Sequence, residues 1–143
     1  MAIKQLSIFV ENKPGRLVNV MNTLAQNNID VSALSLADTL EYGVLRLIVD
    51  KPEKAVICLK EIGVFVKITE VLAVTVDDVP GGLASMLEII SNEDIEVSYM
   101  YAFVGKLSGK AITVLKVSDP EKAKEVLKNK NITMLSENDA YRA

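Results

Sequence analysis

Apolar and polar positions alternate at the start of the chain. Leu6, Ile8 and Val10 interleave with Gln5, Ser7 and Phe9, a period of two that predicts a β-strand. After a Pro-Gly step the period lengthens: Leu17, Val20, Met21 and Leu24 recur at helical spacing until Asn27 and Asn28 stop the helix. Residues 29–36 and 43–49 read as two strands joined by a hairpin turn around 39–42. Pro52 fits the first turn of a second helix, where a missing N–H is harmless and φ is already set. Ala55, Leu59 and Ile62 form the apolar stripe of that helix, and residues 64–68 predict a closing strand.

The whole pattern then recurs. Leu6, Ile8, Val10, Asn12, Pro14, Gly15 and Leu17 return 66 positions later as Leu72, Val74, Val76, Asp78, Pro80, Gly81 and Leu83. Asn28-Ile29-Asp30-Val31-Ser32 returns as Asp94-Ile95-Glu96-Val97-Ser98. Two residues out of step, Asp50-Lys51-Pro52-Glu53-Lys54-Ala55 returns as Ser118-Asp119-Pro120-Glu121-Lys122-Ala123. In this second copy Leu83, Met86, Leu87 and Ile90 make the first helix, which stops over 92–94, and Ala123 and Leu127 mark the second. Strands are predicted at 95–104, 111–117 and 132–135, with a hairpin turn around 106–110.

The order βαββαβ, twice, predicts an α+β chain of two ferredoxin-like units, each an antiparallel sheet with both helices on one face. The units are expected at 1–69 and 70–143. A copy of about 70 residues buries a small share of its surface alone. The seam near Thr69-Glu70 has no Gly/Ser/Pro linker. The copies are therefore expected to pack side by side, sheet edge to sheet edge.

Composition narrows the chemistry. Of 143 residues 50% are hydrophobic and 24% charged, with a net charge of -3, a globular balance with no basic excess to suggest nucleic acid. No run approaches the ~20 apolar residues of a membrane span, and residues 1–5 lack a signal-peptide layout. The single cysteine, Cys58, has no internal disulfide partner, so a reducing cytoplasm is the expected location. The chain has no histidine, which removes Ser-His-Asp triads, Cys-His pairs and His-ligated metals. No catalytic residue, metal or cofactor is expected.

The strand-to-helix loops hold the candidate chemistry. A glycine at a helix start lets backbone N–H groups approach a ligand, and the first N–H groups of a helix have no intrahelical partner. With the helix dipole behind them they favour an anion such as a carboxylate. One Pro-Gly step does no more than make a turn; two at equivalent places make a ligand role as tenable.

Asn12-Lys13-Pro14-Gly15-Arg16-Leu17 with Asn28-Ile29-Asp30-Val31, and Asp78-Val79-Pro80-Gly81-Gly82-Leu83 with Asp94-Ile95-Glu96-Val97, give each copy a short motif in its strand and helix context. In this each copy resembles the ACT domain, and the two together cover nearly the whole chain. The resemblance implies a stand-alone regulatory protein that binds a small molecule, most often an amino acid, between paired ACT units. It also implies allosteric control of a partner enzyme of amino-acid metabolism; a homodimer is the expected assembly. Carried over, Asn12, Lys13, Pro14, Gly15, Arg16 and Leu17 would face Val97, Ser98, Tyr99 and Met100. Asp78, Val79, Pro80, Gly81, Gly82 and Leu83 would face Val31, Ser32, Ala33 and Leu34.

The two loops differ in charge. Residues 11–16 carry one acid and two bases, residues 77–82 two acids and no base, so a carboxylate is expected to prefer the Gly15 site. Tyr99, Tyr101 and Phe103 alternate along one strand face where the first copy has Ala33, Ser35 and Ala37. They suit either packing and association or the wall of an apolar pocket, and parity alone does not say whether that face meets the helices. Residues 105–111 approach a phosphate loop but have one spacer too few and Ala111 where Ser or Thr must hold magnesium. Cys58 aligns with Val126 and reads as a small buried apolar residue; Asp77 and Asp78 read as capping and dipole residues. The rival readings are an interaction subunit without ligands, a small ferredoxin-like enzyme and an RNA binder. The enzyme needs a polar cluster around Arg16 or Arg46, and the RNA binder needs a basic sheet surface.

Overall fold

The alternation that opens the chain folds as β1 (Ile3–Glu11), and the first helical stripe as α1 (Arg16–Gln26). There follow β2 (Val31–Asp38), β3 (Tyr42–Val49), α2 (Pro52–Glu61), β4 (Phe65–Asp77) and α3 (Gly82–Ser91). The chain ends with β5 (Val97–Ala102), β6 (Lys110–Val117), α4 (Pro120–Asn129) and α5 (Glu137–Arg142). The structure, a computed structural model, describes residues 3–38, 42–104 and 109–142, without the Arg142 side chain. The turn residues Thr39, Leu40 and Glu41 and the near-phosphate-loop residues Gly105 to Ser108 lie outside the described residues.

Backbone contacts divide the chain into two compact units, one of Lys4–Thr69 and one of Glu70 onward together with Ile3. In the first, β1 and β2 both pair antiparallel with β3, Leu6 opposite Leu47 and Leu34 opposite the same Leu47. Leu6, Ile8 and Val10 pack with Leu45, Leu47 and Val49 beneath Val20 and Leu24 of α1 and Ala55 and Leu59 of α2. In the second, β4 and β5 pair antiparallel with β6 in the equivalent register, Leu72 and Met100 both opposite Leu115. Its core sets Leu72, Val74 and Val76 against Met86, Ile90, Ala123 and Leu127.

The repeated polar motifs tie the same joint in each copy. Asn28 and Asp94 take the left-handed conformation at φ 57 and 56, which closes α1 and α3 and directs the chain into the next strand. The N–H of Asp30 donates to the Asp50 carboxylate at 2.9 Å, and that of Glu96 to the Ser118 hydroxyl at 3.0 Å. Lys54 reaches the Asn27 carbonyl at 2.8 Å and Lys122 the Glu93 carbonyl at 2.9 Å, cations on the carbonyl ends of α1 and α3. Pro52 and Pro120 each open their helix as expected, and Cys58 is buried in the core.

Three sequence expectations change. β4 runs unbroken from Phe65 to Asp77, so the closing strand of one copy and the opening strand of the next are a single element. The predicted strand 132–135 is a single bridge from Met134 to Val74. The Ser136 hydroxyl accepts from the Asp139 N–H at 3.3 Å and starts α5, which takes the chain out of the sheet after Leu135. Leu17, Leu83 and Ile62 are exposed, each at an end of its helix, and the buried stripe of α1 is Val20, Thr23 and Leu24. Two polar positions of β1 join the buried set. Gln5 and Ser7 are buried, Gln5 donating to Ser7 Oγ and Ser7 Oγ lying against Thr69 Oγ1, both at 3.0 Å.

Candidate functional site

Both Pro-Gly loops are built alike. Gly15 precedes α1 at φ 86 and Gly81 precedes α3 at φ 87, each left-handed and each without a side-chain cap. A residue with a Cβ would be strained there, which is why both copies use glycine. The first i to i−4 bonds run from Asn19 N–H to the Gly15 carbonyl and from Ser85 N–H to the Gly81 carbonyl, both at 3.0 Å. The turns before them close by Arg16 N–H to Lys13 carbonyl at 3.3 Å and Gly82 N–H to Val79 carbonyl at 3.0 Å. Residues Asn12, Lys13, Pro14, Gly15, Arg16 and Leu17 are all exposed, as are Asp78, Val79, Pro80, Gly81 and Leu83, while Gly82 is partly covered. Asp77 and Asp78 do not cap α3, contrary to expectation: Gly81 holds the cap position, and Asp77 Oδ1 instead accepts from Lys110 Nζ at 2.6 Å.

The charges sort differently in the two loops. Lys13 Nζ lies 3.1 Å from Glu11 Oε2, and that contact, with the Arg16 field behind it, holds the Glu11 carboxyl below its ordinary range. With Glu11 and Lys13 paired, Arg16 remains as the surplus cation of loop one. In loop two Asp77 is paired with Lys110, and residues 77–82 carry two acids and no base.

The strand segments named with the loops lie elsewhere in their own units. Val31 is opposite Val49 and Leu34 is level with Leu6, whereas loop one follows Glu11, which is opposite Tyr42 at the other end of the ladder. Val97, opposite Val117, and Met100, level with Leu72, stand in the same relation to loop two. Ser32 and Ala33 are buried and Leu34 is exposed; Val97, Tyr99 and Met100 are half-buried and Ser98 is exposed. No unit by itself brings its loop and its strand segment together. The register also settles the face of the aromatic row. Met100 points to the helices with Leu115, so Tyr99 and Tyr101, opposite Lys116 and Val114, point away from them, and Phe103 is buried on that same side.

Beside each loop is a groove. In the first copy a cavity of about 230 Å³ is bounded by Phe9, Val10 and Glu11 of β1, Arg16, Asn19 and Val20 of α1, Tyr42, and the turn from Ile62 to Phe65. The rings of Phe9 and Phe65 meet edge to face at 5.3 Å. In the second copy a cavity of about 300 Å³ has the equivalent walls: Thr75, Val76 and Asp77, then Gly82, Ser85 and Met86, and Ile132. There Thr75 closes the wall, its N–H and its hydroxyl each donating to the Thr133 carbonyl at 2.9 Å. Phe9, Asn19, Tyr42 and Phe65 escaped the sequence reading; the available signal was Phe9, a large ring at a polar position of an alternating strand. Among the described residues no three His, Cys, Asp or Glu side chains gather to hold a metal, and no helix is long and apolar enough to cross a membrane.

This arrangement has known relatives. The crystal structure of protein BT0572 from Bacteroides thetaiotaomicron is 41% identical, covering 100% of this chain and 98% of that one at a TM-score of 0.94. The ligand-free regulatory subunit of aspartate kinase from Thermus thermophilus shares the fold at 16% identity, TM-score 0.67, with 91% of each chain covered. The regulatory subunit of aspartate kinase from Thermus flavus does so at 16% identity and TM-score 0.64, over 87% of this chain and 88% of that one. No curated protein matches the sequence. The model of the ACT domain pair matches residues 1–142, and the chain, with two βαββαβ-like units and both glycine-opened loops, belongs to that family.

Proposed function

We propose that this protein is a non-catalytic regulatory module that binds a small metabolite, an amino acid, at its Pro-Gly loops. Binding orders the loops and biases how the protein, as a homodimer, docks on a partner enzyme of amino-acid metabolism. The observation that carries the reading is the pair of uncapped helix starts at Gly15 and Gly81, with φ of 86 and 87 at equivalent places. The Arg16 and Gly82 amides close the turns, and the next amides of each first turn have no side-chain cap at the positive end of the helix dipole, a seat for a carboxylate. The likeness in fold to regulatory subunits of aspartate kinase supports control of an enzyme. Arg16 in loop one, and the lack of any basic residue at 77–82 in loop two, support a stronger carboxylate site at Gly15. The strand segments at 31–34 and 97–100 stand away from their own loops, so the proposal rests on the loops alone.

A thermal-shift screen of the twenty amino acids tests this, because a ligand that binds only the folded state raises its melting temperature. A response to one or a few is expected, and Gly15→Asp should abolish the stronger binding in isothermal titration while circular dichroism stays unchanged. Silence across the panel overturns the reading. Binding that survives Gly15→Asp and is lost in Gly81→Asp overturns the order of the two sites.

A further inference from the structure

The groove of the first copy carries more chemistry than its fold requires. Three aromatic side chains from separate elements converge there and stay open to solvent: Phe9 at 42%, Tyr42 at 48% and Phe65 at 65% exposure. The second copy is an internal control. Its equivalent positions are Thr75, Lys110 and Thr133, and it folds to the same ladder and the same helix start without any ring. The rings are therefore not needed to make the unit. The charged positions diverge in the same way. Lys110 is held by Asp77 at 2.6 Å and Gly82 offers no side chain. Its counterpart Arg16 lines the groove and forms no ion pair with the described residues.

We propose that this groove selects the ligand, taking an α-amino acid with an aromatic or large branched apolar side chain. The carboxylate lies on the Arg16 guanidinium, the ammonium faces Glu11, and the side chain packs on Phe9 and Phe65. This rests on the loop being a carboxylate site, as proposed above. A guanidinium supplies the fork that a carboxylate fits, and the exposed ring faces supply apolar area at little conformational cost. A cavity of about 230 Å³ lies below the ~300–1,000 Å³ typical for drug-sized ligands, a scale suited to a single amino acid.

Isothermal titration of the full chain with L-phenylalanine, L-leucine, L-alanine and phenylpyruvate tests the proposal. L-Phenylalanine or L-leucine should bind at least about tenfold tighter than L-alanine, since even one methylene in an apolar pocket is worth about tenfold or more. Phe65→Ala and Phe9→Ala should each erase most of that preference, with Phe65→Leu retaining part of it and circular dichroism confirming the fold. Glu11→Gln should weaken L-phenylalanine but not phenylpyruvate, which lacks the ammonium. If L-alanine binds as well as L-phenylalanine, or if the ring variants bind as the parent does, the groove falls while the loop reading stands. If no probe binds, both fall.

Discussion

At the mouth of the first copy two phenylalanines, a tyrosine and an arginine occupy the places that two threonines, a lysine and a glycine occupy in the second. Beneath these mouths the copies are alike: Leu6 and Leu72 at the same point of the ladder, Gly15 and Gly81 at nearly the same φ, Lys54 and Lys122 on the same helix ends. The difference separates two kinds of position. Residues that set backbone direction or fill the core recur because the unit cannot form without them. Residues around the groove diverge because the backbone is indifferent to them, and there the copies have room for different chemistry.

The strongest way to break this comparison is to make equal cuts in the shared layer. Leu6→Ala and Leu72→Ala remove side chains that are 0% and 1% exposed from equivalent cores. Each should cost ~2–5 kcal/mol by urea unfolding. Losses that differ by more than that spread would show that the cores are not equivalent.

A smaller effect sharpens the contrast between the helix starts. A Cβ at Gly82 would run into the Asp77 carbonyl oxygen, so Gly82→Ala should cost about 1–3 kcal/mol in a thermal melt. Gly15→Ala, with open space around it but φ of 86, should cost about 1–2 kcal/mol. Arg16→Ala, at the place equivalent to Gly82, should change stability by less than ~0.5 kcal/mol. A harmless Gly82→Ala would mean that the second loop is no tighter than the first.

The smallest effect is electrostatic. Lys13, by hydrogen bond and charge, holds the Glu11 carboxyl below its ordinary 4.5. A carboxyl depressed in the folded state adds stability that is complete above its unfolded value and is lost as pH falls through its folded one. Nuclear magnetic resonance titration should therefore find the Glu11 midpoint low and Lys13→Ala should raise it; an unmoved midpoint would dissolve the pairing that leaves Arg16 as the surplus cation.

Much of the molecule was legible in the chain because the repeat marked the residues that do one local job. Pro-Gly, the Asn and Asp helix stops, and Pro52 and Pro120 each act within a few positions of themselves, and all were found where expected. What escaped depends on neighbours distant in sequence. Residues 132–135 alternate like a strand, but Ser136 capping α5 draws the chain away. Gln5 and Ser7 alternate with the apolar core, yet they too are buried, with Thr69 as a partner 62 positions from Ser7. Asp77 read as a cap until Lys110, across the ladder, claimed it.

The sequence by itself determined two βαββαβ units, their helix starts and their cores, because periodicity and backbone preference are properties of adjacent residues. Only the tertiary structure decided that Phe9, Tyr42 and Phe65 share one groove with Arg16, and that Tyr99 and Tyr101 turn away from the helices. Those facts follow from register and strand order, which join residues that no local pattern connects.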